Sequence, residues 1–395
     1  MKRLYSLFSV TNVTVAFLSV FFIAGCQKKQ EAPVVSTTKV NDLVNVLKGH
    51  SEYMVFGKEN GPSMLITPAL GARIMGASVN GVMGDNLLWV NQALYADSFW
   101  QKEPDWNAGG FRSWIAPEDA FFLDAQDKWF VPKSMDPGSY KLVSSTSTMA
   151  IFQNDFIIKS KESQEYSLKL TREIHLLESY QNPGIQNLPA EINYVGVRVV
   201  HSLENTSKVV IGNKVPHVGL WSLLQVKPAG TMIIPLAKSG TKDKAAFREY
   251  FNPIPPERMA VSEKAITVKI DGKFRCKIGI APEFASPAIA FLAEDEGGQG
   301  RLYIKQFMVD PKGKYLDHPW GKPSTYGDAV EMYNDDGVMG GFAELECHGP
   351  AQTLKPGEKE SHDVSLHVFT GPVEALKNIA ASILELDFAK LTFYK

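Results

Sequence analysis

Glu344 and Glu346 stand two residues apart in Phe-Ala-Glu-Leu-Glu-Cys-His-Gly-Pro. In an extended strand alternate side chains share a face, so Glu344, Glu346 and His348 line up on one side, with Ala343, Leu345 and Cys347 on the other. Like charges on one face raise each other's pKa, which tunes one carboxyl for acid–base work near neutral pH. The same alternation also describes an edge strand with one polar, solvated side. A second set lies in Asn107-Ala-Gly-Gly-Phe-Arg-Ser-Trp-Ile-Ala-Pro-Glu118, with Trp106 just upstream. Two glycines let a backbone approach something closely. Arg112, Trp114 and Glu118 then bring a guanidinium, an indole and a carboxylate. Aromatic faces beside fixed hydrogen-bonding charges suit a sugar, which has apolar C–H faces and many hydroxyls. The plainer alternative is a Gly turn entering a strand, with a buried Trp and a salt-bridged Arg.

Histidine is the natural proton carrier near neutral pH. His201, His217, His318 and His348 are the candidates, with His217 beside Pro216 at the start of an apolar run. Arg73 and Arg112, with Trp106 and Trp114, form a candidate binding rim. There is no CxxC, no HExxH, no phosphate loop and no dinucleotide fingerprint, so no metal or other cofactor is expected. A formal charge of −2 without a basic cluster argues against nucleic acid as a partner.

The elements that must hold these residues are strands. Short runs rich in Val, Ile, Thr and aromatics alternate with Gly, Pro, Asn and Asp turns. Examples are 63–67, 73–79, 87–91, 148–152, 166–176, 193–202, 208–213, 232–235, 265–270, 275–280, 288–293, 302–309, 330–334, 341–348 and 362–369. That is more than one immunoglobulin-like sandwich holds. Helical periodicity is clearest over 372–386, where Val373, Leu376, Ile379, Ala380, Ile383 and Leu384 share a face; 42–48 is a second, short candidate. Residues 239–256 are polar and Pro-rich and read as a long loop. The body, residues 49–395, is read as one all-β domain.

The N-terminus reads as an export signal. Lys2 and Arg3 precede an apolar run over 13–24, and Ile-Ala-Gly-Cys26 matches a bacterial lipoprotein cleavage box, so residues 1–25 are set aside as processing. Cys26 is then the acylated residue, and residues 26–48 form a polar tether. Gln27 follows that cysteine, where Asp would retain such proteins in the inner membrane, so the expected location is the bacterial cell envelope, lipid-anchored at the outer membrane. Membrane contact is expected through the anchor only. Cys276 and Cys347 are either an envelope disulfide or two isolated buried thiols.

Taken in order along the chain, several segments resemble galactose mutarotase-like proteins, the superfamily that includes the aldose 1-epimerases. They are Met64-Leu-Ile-Thr-Pro-Ala-Leu-Gly-Ala-Arg-Ile-Met, the Gly109-Gly110 segment through Glu118, Val218-Gly-Leu-Trp-Ser-Leu-Leu-Gln-Val with Gly230-Thr-Met-Ile-Ile-Pro, and Phe342 to Pro350 followed by Leu354-Lys-Pro-Gly-Glu. The resemblance implies a β-supersandwich that binds a carbohydrate in a cleft across one sheet. It implies a catalytic Glu346 or Glu344 as base, His201 or His217 as acid, and Arg73, Arg112, Trp106, Trp114, Glu118 and His348 as substrate contacts. The chain departs from the epimerases at Ala108, where they carry a histidine. A catalytically silent carbohydrate-binding accessory protein is the alternative the resemblance leaves open.

Overall fold

The computed structural model describes residues 38–102, 105–181, 187–240, 246–322 and 327–394. The signal segment, Cys26 and the first part of the tether lie outside the described residues. Among those described there are nineteen strands: β1 (Met54–Gly57), β2 (Ser63–Thr67), β3 (Arg73–Ser78), β4 (Phe111–Ala116), β5 (Lys141–Ser145), β6 (Met149–Lys159), β7 (Glu165–Leu177), β8 (Asn193–Asn205), β9 (Gly219–Val226), β10 (Gly230–Pro235), β11 (Phe247–Glu249), β12 (Met259–Val261), β13 (Ala265–Ile270), β14 (Cys276–Ile280), β15 (Ala288–Glu294), β16 (Gln299–Phe307), β17 (Val330–Asn334), β18 (Ala343–His348) and β19 (Lys359–Pro372). Four α-helices accompany them: α1 (Val40–His50), α2 (Asp97–Trp100), α3 (Glu118–Phe121) and α4 (Val373–Leu384).

Strands β1-β2-β3-β4-β9-β18-β17-β14-β11 form one sheet, and β12-β13-β10-β15-β16-β19-β8-β7-β6-β5 the other. All pairings within them are antiparallel. The expected all-β supersandwich is therefore the architecture present. The sheets meet over a continuous core that joins Phe111, Ile115, Leu224, Met332 and Leu345 of the first to Leu170, Val197, Val199, Phe291 and Leu366 of the second. Area removed from water at about 25 cal/mol per Å² makes such a layer the main stabilising contribution. Lys305 is buried within it, and its ammonium donates to the carbonyls of Ser222 (2.7 Å) and Leu345 (2.9 Å).

Helix α4 lies on β15, β16 and β19, burying Val373, Leu376, Ile379, Ala380 and Leu384. It begins at Pro372 and stops at Glu385, whose φ of 54° is left-handed. Helix α1 buries Val40, Leu43, Val44 and Leu47 beside Leu65 and Met75. The sequence starts the body at residue 49, whereas the fold is already packed from Val40. Two expected strands are absent. Residues 87–91 form no strand: they carry one isolated bridge, Val90–Gly109, and single backbone bonds from Leu87 to Ala77 and from Trp89 to Gln225, and 208–213 hold a single bridged residue, Ile211. Conversely, β11 falls inside the segment read as a loop. Among the described residues no helix is long and apolar enough to cross a membrane.

Candidate active site

Alternation along β4, β9, β14, β17 and β18 sends one set of side chains into the core and the other onto the outer face of the nine-stranded sheet. Register arranges the outer set in rows. One row holds Arg112, Leu223, Glu346 and Glu331; the next holds Trp114, Trp221 and His348; a third holds Gln225, Glu344, Tyr333 and Lys277. Over these rows lies a cavity of about 260 Å³ walled by five tryptophans, Trp106, Trp114, Trp129, Trp221 and Trp320. Its polar lining is Glu118, Glu344, Glu346, Arg112, Arg275, Lys277 and Tyr333. A groove elsewhere is larger, about 800 Å³, but no aromatic side chain lines it, so it offers no stacking surface.

The Gly109-Gly110 pair serves the scaffold. Gly109 has φ 106° and Gly110 φ 75°. A Cβ would stand 2.5 Å from the Trp89 carbonyl oxygen at the first and 2.2 Å from the Ile74 oxygen at the second. What the glycines approach closely is therefore neighbouring backbone, and this seats β4 between β3 and β9 with Arg112 and Trp114 facing outward.

Arg112 is buried, 2.8 Å from the Glu344 carboxylate, and its guanidinium lies over Trp114, 4.2 Å from the ring centroid. Its Nε and Nη1 have no protein partner. Glu346 is fully buried; its Oε2 accepts from the Trp221 indole at 2.9 Å and lies 3.4 Å from the Lys277 ammonium, while Oε1 has no partner. Burial holds the Glu346 carboxyl well above the usual carboxylate range; Lys277 opposes this, and Glu344 and Glu331 add to it. Glu118 is likewise raised by burial. Its two oxygens accept from Trp129 (2.9 Å) and Trp320 (3.1 Å), which ties both indoles to one wall.

Beneath the cavity, Lys277 is 2.7 Å from Glu331 and 3.8 Å from Asp317. Burial alone would lower its pKa, but Glu331, Glu346 and Asp317 hold it well above the ordinary value. Asp317, Glu331 and His348 place three ligand-type atoms within 4.8 Å of one another. The Lys277 ammonium already supplies the cation for that group.

The structure brings Arg112, Trp106, Trp114, Glu118, Glu344 and Glu346 together around one cavity. Five sequence candidates sit elsewhere, among them His318, 3.7 Å from Asp119 and outside the cavity lining. Arg73 is fully buried, its Nη2 donating to both Asp136 oxygens at 2.8 and 2.6 Å, and Asp136 also accepts from the Trp114 indole at 2.6 Å; Arg73 braces Trp114 from behind and does not line the cavity. His201 lies between the sheets, hydrogen-bonded to the Ser113 hydroxyl, and burial followed by Arg172 keeps its pKa well below 6.5. His217 is outside the cavity, 3.0 Å from Lys314 and 3.4 Å from Thr353. His348 is on the expected face but below the cavity, stacked on Trp221 and 3.2 Å from Glu331. No histidine lines the cavity. Cys276 and Cys347 are separate buried thiols, pushed up by burial to about 12 and about 11, so the disulfide alternative falls away.

Sequence reasoning missed Lys277, Arg275, Phe251, Tyr333, Met339 and Phe342; of the chain's seven tryptophans it kept only Trp106 and Trp114 for the rim and set aside Trp129, Trp221 and Trp320. The alternation of Trp221 and Leu223 with Gly219–Val226 was the available signal for one of them. The others arrive through strand order and loops, which no local pattern encodes.

A family model described as DUF6786, family of unknown function, matches residues 38–393. No curated protein matches. Among solved structures, a candidate aldose 1-epimerase from Escherichia coli K12 is 12% identical, with 80% of this chain and 99% of that one covered at a TM-score of 0.46. A galactose mutarotase-like protein from Lactobacillus casei ATCC 334 is 9% identical, with 80% and 100% covered at a TM-score of 0.41.

Proposed function

We infer that this chain, which belongs to the family of unknown function DUF6786, binds a saccharide ring in the tryptophan-walled cavity and exchanges protons with it through Glu344 and Glu346. The observation that carries this is the pairing of five indoles with two unlike glutamates on one sheet face. Indole faces accept the C–H faces of a pyranose, and the unpartnered Arg112 donors and Glu346 Oε1 match its hydroxyls. A cavity of about 260 Å³ is just below the roughly 300–1,000 Å³ of drug-sized sites, which suits one sugar unit.

Burial favours the protonated form of Glu346, while Glu344 is ion-paired with Arg112. This favours an aldose 1-epimerase type of reaction run by two carboxyls in place of a carboxylate and an imidazole. Glu346 gives its proton to the ring oxygen as Glu344 takes the proton of the anomeric hydroxyl. The bond from the anomeric carbon to the ring oxygen breaks, leaving an open-chain aldehyde. Rotation about the next carbon–carbon bond and the reverse transfers close the ring with the other anomeric configuration and restore both glutamates.

Polarimetry on a freshly dissolved sugar tests this. In Glu346→Gln the acid is gone and its shape kept, so the enzymatic rate should fall by about 10²–10⁴-fold with sugar affinity held within a few-fold. An unaltered rate in the variant would exclude Glu346 as the acid. The absence of histidine from the cavity lining favours a second reading, a silent binder, for which wild type binds sugar but adds nothing to the spontaneous rate.

A further inference from the structure

Three cationic side chains line the cavity, and two are already matched. Arg112 is paired with Glu344 at 2.8 Å and Lys277 with Glu331 at 2.7 Å. Arg275 is different. It is exposed at the mouth, lies over the Phe251 ring at 4.2 Å to the centroid and stands beside Tyr333 in the cavity lining. Among the described residues no carboxylate is within ion-pair distance of it. Deeper in, Arg112 keeps Nε and Nη1 buried and without a partner, although the residue is only 2% exposed. Leaving buried donors of a charged group unmet is destabilising, so these donors suit an acceptor that enters from outside. The remaining lining carboxyls, Glu118 and Glu346, are pushed toward the neutral form by burial. Arg275 is thus the lining cation that no carboxylate reaches among the described residues, the nearby buried Asp335 being engaged by the Tyr333 hydroxyl at 3.1 Å.

We propose that the saccharide this cavity takes is a uronate, with its carboxylate seated on the Arg275 guanidinium at the mouth and its ring hydroxyls accepting from Arg112. The proposal rests on the saccharide reading above and deepens it. A guanidinium offers a planar fork that a planar carboxylate fills bidentately. A phosphate ester, with up to two negative charges, would call for more than the one unmatched cation present. The Phe251 ring, 4.2 Å from the guanidinium, holds the fork at the mouth.

The test is calorimetric titration of the full chain with matched pairs, glucuronate against glucose and galacturonate against galactose, with galactose 6-phosphate as a further arm. For one pair of each kind, wild type should prefer the uronate by roughly tenfold, the worth of one charge-assisted bidentate contact in a half-open site. The preference should shrink as salt is raised. In Arg275→Gln the ratio of the two affinities should collapse toward one, and Arg275→Lys should keep part of it, because the charge remains and the fork does not. Equal affinities in wild type, a ratio unchanged in Arg275→Gln, or a phosphate ester bound more tightly than either uronate would each overturn the proposal while leaving saccharide binding standing. If no saccharide of any kind binds, the saccharide reading itself fails and takes this one with it.

Discussion

Glu346 and Arg73 show how differently two charged residues of one sheet can be spent. Glu346 keeps one carboxyl oxygen unpartnered and the other on Trp221, so it remains able to act on a ligand. Arg73 is consumed: Asp136, Leu70 and Gly109 take its donors. Both are charged residues in apolar strands, and only the partner list separates them. The alternation at 344, 346 and 348 was legible because period two needs no tertiary information. That Arg73 meets Asp136, 63 residues away, could not be read locally. A buried carboxyl outside the cavity lining gives a pH test. Glu360, 6% exposed, accepts from the Gln352 amide at 2.8 Å, and burial pushes it up to about 8. The folded state then holds a proton that the unfolded chain releases above about 4.3. Its stabilising contribution is complete below that value and is lost as pH rises toward 8. Thermal melts at pH 5 and pH 8 should show a larger loss in wild type than in Glu360→Gln, whereas parallel losses would place the titration elsewhere.

At the scale of elements, the helix over 372–386 was legible and appears as α4, because a 3.6-residue apolar period suits little else. Residues 87–91 misled for the opposite reason. Val, Leu and Trp there are buried against β9 and the Gly109-Gly110 corner, with Trp89 donating its amide to Gln225 and accepting from Gly110. Apolar content recorded burial, and strand pairing did not follow from it. The site strands meet because their order, β4-β9-β18-β17-β14, gathers residues from four separated parts of the chain. The glycine corner sets the entry to this group. Gly110→Ala would bring a Cβ to 2.2 Å from the Ile74 oxygen at φ 75°, a strained backbone worth on the order of 1–3 kcal/mol before the clash is counted. The expected result is a lowered melting temperature together with a shift in tryptophan emission, since Trp114 follows on the same strand. A variant that melts like wild type would show that the corner has room the geometry denies it.

At the scale of the whole molecule, the two-sheet body was legible as a class, from strand runs and turn chemistry, while its N-terminal border was not. Helix α1 packs on the body from Val40, which shortens any tether to the residues before it. Envelope anchoring through Cys26 stays a proposal drawn from the leader pattern. Cys26→Ser should move the protein from the membrane fraction to the soluble one, and an unchanged distribution would remove the lipid anchor from the account. The central claim, that the tryptophan-walled cavity is a saccharide site, has a direct optical readout, because five of the chain's seven tryptophans line it. The measurement is titration of the full chain with mono- and disaccharides, neutral and uronate, following tryptophan emission and confirming each hit by calorimetry. The account predicts a saturable emission change with one-to-one stoichiometry for at least one sugar, weakened in Trp106→Ala. A flat emission trace and no heat across the panel at tens of millimolar sugar would contradict it.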